Sequence, residues 1–141
     1  MADLAITAAS VKKGSGAQIS TLNAATGVTI TAGQGMYSDT TVTPAVWRLA
    51  NSTTSATTAS MSAIALNAAQ PGQPVVGQTG GQITIGATLV AGDIYLASAT
   101  SGNITIVSAT PATGVFVTIV GVAISTTVVQ LSFNATGIAH G

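Results

Sequence analysis

One seven-residue stretch occurs twice, and it restricts the folds open to this chain more than any other feature. Gly27-Val28-Thr29-Ile30-Thr31-Ala32-Gly33 returns 59 residues later as Gly86-Ala87-Thr88-Leu89-Val90-Ala91-Gly92. After a one-residue slip the match continues at a spacing of 58, with Met36-Tyr37 answering to Ile94-Tyr95 and Ser62–Leu66 to Val120–Ile124. A nearly constant offset of this kind marks an internally duplicated unit. The two halves should therefore fold alike.

Short apolar runs separated by turn residues fill both halves. In the first, Ile19–Leu22 opens the unit, Gly27–Ile30 reads as a strand, and Ala32–Gly35 as its turn, where glycine supplies the positive φ that other residues resist. Met36-Tyr37, Ala45–Leu49 (with Trp47 and Leu49 on one face), Met61–Leu66 and Val75–Gln78 follow. In the second half the corresponding strands are Ile94-Tyr95, Asn103–Val107, Val115–Ile124 and Val128–Phe133. About five short strands per unit, with a turn signal roughly every 8–12 residues, are the pattern of a sandwich or barrel. Thr, Val and Ile suit pleated surfaces, and no segment sustains a helical period. The expected fold is all-β: a β-sandwich or barrel of two pseudo-repeated units with an extended N-terminal arm. Residues 1–16 form the arm and hinge, and 17–141 a single β domain with pseudo-repeats 17–79 and 80–135 and a short small-residue tail. Val28, Ile30, Leu89, Ile104, Ile106, Val117, Ile119, Val129 and Leu131 are expected to point inward. Asn51–Ser60, rich in Ser and Thr, reads as a surface loop too polar to hold a core.

Charge separates the function classes. Three basic and three acidic residues give a charged fraction of 4%, against roughly 25% in ordinary soluble domains. A polyphosphate partner needs a basic stripe, which three cations cannot build, so no nucleic acid is expected. Few charges also mean little mutual repulsion, which favours association. Ala, Thr, Gly and Ser supply 77 of 141 residues, and small side chains permit close approach of backbones or subunits. No cysteine is present, so disulfide, thiolate and thiolate–metal chemistry are absent. Met1-Ala2-Asp3 lacks the basic and long apolar regions of a signal peptide, so none is expected. Val115–Ile124, broken by Thr118 and Gly121, is well short of the roughly 20 residues of a membrane span; no membrane partner is expected.

No residue constellation names a reaction. His140, the single imidazole, lies near the end, where chains fray. Asp39 and Asp93 do not occupy equivalent repeat positions and read as turn aspartates. Gly33-Gln34-Gly35 and Gly77–Gly81 lack the following helix that a phosphate loop requires. No enzyme activity, metal or cofactor is expected.

The chain's start offers a different possibility. Leu4 and Ile6 alternate, Val11 follows, and Lys12-Lys13 lead into a Gly14-Ser15-Gly16 joint. Two placements are open: an arm reaching a neighbouring subunit or shell through Leu4, Ile6, Val11, Lys12 and Lys13, or an edge strand folded onto its own domain.

The opening Met1–Val11 with Gly14-Ser15-Gly16-Ala17, the Ile30–Tyr37 turn, Ile64–Asn67 with Gly72–Val75, and Thr88–Tyr95 with Gly121–Ile124 together resemble the capsid cement, or decoration, proteins of tailed bacteriophages. The resemblance spans nearly the whole chain and rests on turn glycines and core aliphatics. It implies a small β domain on the outside of the head, assembled in the host cytoplasm. Such proteins are commonly homotrimers that brace major capsid proteins against internal DNA pressure, with no catalytic residues. The alternative is an exposed fibre or adhesin module binding host glycans through Asn51–Ser60 and Trp47.

Overall fold

A computed structural model describes residues 3–106 and 113–140. Met1, Ala2, Val107 and Gly141, to which the sequence assigns arm, strand and tail positions, lie outside the described residues. Among the described residues ten strands and one 3-10 turn (Ala8–Ser10) make up the regular structure: β1 Lys12–Lys13, β2 Gln18–Ala24, β3 Gly35–Asp39, β4 Val46–Leu49, β5 Ala63–Ala65, β6 Pro74–Thr84, β7 Ile94–Ala97, β8 Ile104–Ile106, β9 Phe116–Ala123 and β10 Val128–Ala139. The fold is all-β.

The first unit closes on itself. Its strands run β2-β4-β3-β5-β6, and β6 returns to pair with β2. The β2–β4 pairing is parallel (Asn23↔Val46, Ala24↔Trp47); the others are antiparallel. Inside this narrow ring Trp47 is 2% exposed and Met36 and Ile30 are fully buried, among Ala24, Ala63, Ala65 and Ala69. A Cβ on Gly77 would lie 3.0 Å from both the Trp47 ring and Ala63. Five short strands enclose little volume, so one indole fits only because its neighbours are alanine and glycine. That is one physical reason for the small-residue composition.

The second unit repeats the arrangement as β6-β10-β9-β7-β8. β6 is long enough to serve both: Pro74–Gly80 pair with β2 and β5, and Gly81–Thr84 with β10 and β1. The duplication is visible in the backbone hydrogen bonds. Gly33 N–H donates to Ala65 O, Gln34 N–H to Thr31 O and Ala65 N–H to Gln34 O; the same three join Gly92 to Ala123, Asp93 to Val90 and Ala123 to Asp93. Gly27 and Gly33 have φ of 76° and 92°, and Gly86 and Gly92 of 74° and 90°.

The registers revise the alignment of the halves. Met36 faces Leu49, and Tyr95 faces Ile106. Tyr95 thus takes the place of Met36, while Tyr37, on the opposite face of β3 from Met36, joins the larger cluster that also holds Tyr95. The tyrosines do not correspond: one residue in a strand reverses the face. Likewise Ile104 occupies the place of Trp47, so the bulky ring moves from β4 to β7 and the two interiors fill differently. The Val90 N–H donates to Tyr95 Oη at 3.0 Å, whereas its counterpart, the Thr31 N–H, donates to Gln34 Oε1 at 2.9 Å.

Other expectations also shift. Gly27–Ile30 is not a strand: Gly27 closes a turn, Val28 and Thr29 are irregular, and Ile30 forms a single bridge with Ala69. In β9 Thr118, Val120, Gly121 and Ala123 are covered, while Val117 and Ile119 are half-buried; register breaks at Tyr95/Leu96 and Leu131/Asn134 reverse the faces. Val28 and Ile106 are also half-buried, and Ile30, Leu89, Ile104, Val129 and Leu131 are buried. Residues 128–140 are paired rather than loose: β10 runs to Ala139, and His140 exchanges backbone hydrogen bonds with Gly114 and Val115.

Candidate contact surface

The N-terminal segment takes the second of its two open placements and lies on its own domain. Asp3 bridges Thr105, and the Leu4 N–H donates to Ile104 O. Asp3 also accepts from Ser98 Oγ (2.6 Å) and Asn103 Nδ2 (3.1 Å). The Thr7 N–H donates to Gly86 O, and β1 pairs with Ile83 and Thr84 of β6. Residues 3–13 thus run from β8 to β6 across the side on which the second ring is open. Ile6 and Val11 lie over Gly33, and the Thr7 carbonyl lies over Gly86, both sites where a Cβ would collide. Two of the four repeated glycines are therefore bare so that this segment can cross them.

This placement divides the five expected contact residues. Val11 is 8% exposed, and Leu4 and Ile6 are half-buried against the same core, because their own domain offers them an apolar seat. Lys12 and Lys13 are exposed. Lysines on a short edge strand also keep that edge from pairing with a stray strand.

Asn51–Ser60 is less external than its composition implies. Its middle is exposed, but Ser52 is fully buried and Ala59 is 1% exposed. The Ser52 N–H donates to Ser98 O, Phe116 N–H to Ser52 O, and Thr118 Oγ1 to Ala59 O, so the loop clasps the second unit. Its polar residues bond one another, as in the Ser55–Thr58 turn. Trp47, paired with this loop in the glycan reading, is buried in the first ring with Nε1 donating to Val75 O at 3.3 Å. It offers no ring face for stacking on a sugar.

Asp39 sits at the base of the β3–β4 loop, bound by Arg48 Nε at 2.6 Å and by the Thr41 hydroxyl and N–H. The Thr41 and Arg48 hydrogen bonds hold its carboxyl at about 2, below the usual 3.8. A depressed carboxylate contributes stability above its unfolded pKa and loses it as pH falls through the folded value. Acid titration of the urea midpoint should therefore show an Asp39-dependent loss between roughly pH 4 and pH 2, absent in Asp39→Asn; parallel curves for the two proteins would refute this. Asp93 lies in the turn before β7 in the other unit, apart from this network.

Among the described residues no three of His, Asp and Glu gather, and no helix is long and apolar enough to cross a membrane. One surface depression is lined by small uncharged groups, among them Thr7, Ser10, Thr84, Thr88 and Thr127, while Arg48 lines two others. The outward features that stand apart are aliphatic: Val90 (56% exposed), Ile124 (50%) and Ile138 (69%), with Ile19 and Val42. Comparison with family models, with curated proteins and with solved structures finds no match for this chain.

Proposed function

We propose that this chain is a non-enzymatic virion protein that binds the outer surface of a tailed-phage head and braces neighbouring major capsid subunits, working as a homo-oligomer, with a trimer as the expected form. The observation that carries the reading is the near-neutral surface with aliphatic side chains left outside, on a body tied together by strands. The motif resemblance to cement proteins points the same way. Bracing a shell calls for many modest contacts multiplied by symmetry, so that avidity replaces one strong site. Contacts that use few charges also tolerate salt. Of the N-terminal segment, Lys12 and Lys13 remain turned outward to meet the shell.

The test is to mix purified protein with undecorated phage heads and sediment them in low and molar salt. The expected result is saturable binding that survives high salt and raises the temperature at which heads release DNA. Protein left in the supernatant under both conditions would overturn the proposal.

A further inference from the structure

The duplication gives each unit the same set of faces, and in the first unit one of these is covered. Gly35 lies beneath Met61, Ile64 is fully buried in the cluster joining the units, and Leu66 packs on it. The β7–β8 loop seats there too: the Gly35 N–H donates to Gly102 O, and the Gly102 N–H to Ala50 O. The strand pairings identify the same face in the second unit. Gly35 pairs with Ile64 as Ile94 pairs with Val122, and Leu66 N–H donates to Val76 O as Ile124 N–H donates to Val128 O. Here it is bare. Ile94 and Val122 are each 37% exposed and Ile124 50%, with Val90 beside them in the turn before β7.

The geometry points to a second copy of this chain as the occupant, seated through the β3–β4 loop of its first unit. That loop is the counterpart of the β7–β8 loop that covers the face within the chain, and its tip carries Val42, 41% exposed. It is uncharged from Thr40 to Val46, so docking it on an aliphatic face strands no unpaired charge. The contact continues between chains the interface that already joins the units. It is heterologous, using different patches on the two partners, so successive copies close into a ring or extend as a filament. A contiguous aliphatic patch of this kind marks an interaction site. The inference stands on the fold and does not require that the chain bind a capsid.

The test uses Ile94→Asp, Val122→Lys and Val42→Asp in the full chain, with mass measured by light scattering across a concentration series and folding checked by circular dichroism. The wild type should be oligomeric, and each substitution should raise the dissociation constant by at least about thirtyfold, the loss of one central contact. Because the chain has no cysteine, Val42→Cys combined with Val122→Cys supplies a readout independent of stability. Under oxidation the double variant should link into species of three or more chains, and each single variant should stop at a dimer. A monomeric wild type, an oligomer indifferent to all three substitutions, or a double variant that fails to exceed the dimer would overturn the inference. Head binding by a monomeric protein would overturn this inference and the homo-oligomer part of the capsid proposal, leaving head binding itself standing.

Discussion

Removing residues 2–12 should lower the melting temperature by on the order of 10–20 °C and loosen the second unit first. Val11 is a core residue, and Leu4 and Ile6 pack against the same cluster. Full burial of one aliphatic side chain is worth about 1.5–3 kcal/mol. One buried and two half-buried residues therefore amount to about 3–5 kcal/mol, and each kcal/mol moves a domain of this size by about 3–5 °C. The deletion also leaves β8 without its backbone partners at Asp3 and Leu4. Hydrogen exchange should show the loss spatially: amides of β7 and β8 gain exchange rate before those of β3 and β4. Uniform loss of protection in both units, or an unchanged melting temperature, would show that the segment does not hold the second ring together. Binding tests on the shortened chain need this control, since reduced capsid occupancy could follow from a loosened fold.

Gly81→Ala should cost about 2–5 kcal/mol, through two separate effects. Gly81 has φ of 81°, and a left-handed conformation costs an L residue about 1–2 kcal/mol. An added Cβ would also run into the carbonyl of Gly16 and the amide of Ala17. Those are backbone atoms and cannot rotate away, so overpacking of about 1–3 kcal/mol adds to the strain. Gly92→Ala is the control: its φ is 90°, but nothing lies within 4 Å of the new Cβ. Only the conformational share should appear there. Chemical denaturation of both variants separates the effects, and equal losses would show that the crossing at Gly16 yields easily.

Periodicity and repetition carried most of the β architecture into view, because strands with turn glycines leave a local trace. What escaped was set by pairing between distant segments. The letters aligned Tyr37 with Tyr95, but the sheet registers align Tyr95 with Met36, and a chain read one residue at a time holds no record of register. Val117 and Ile119 have the strand pattern of a buried row, yet Thr118 and Val120 are covered instead once the bulges reset the face. Asn51–Ser60 has a loop's composition, but its ends are buried because backbone groups, which composition does not describe, bond the second unit. For the contact residues, Leu4, Ile6 and Val11 announced an apolar segment in need of a partner. That the partner is the segment's own second unit became visible only where Gly33 and Gly86 leave room for it. The Ile94–Val122 face was missed altogether. The sequence repeat matched Ile94 to Met36, and only the strand pairings match Ile94 and Val122 to Gly35 and Ile64.

A single continuous strand, β6, belongs to both rings. Pulling β6 out breaks ladders of both rings, so load borne by that strand is shared between them. In a single-molecule pulling experiment such a body should rupture in one event with one contour-length step, where two beads on a string would yield two. If the chain braces a phage head as proposed, strain would pass through it along this strand.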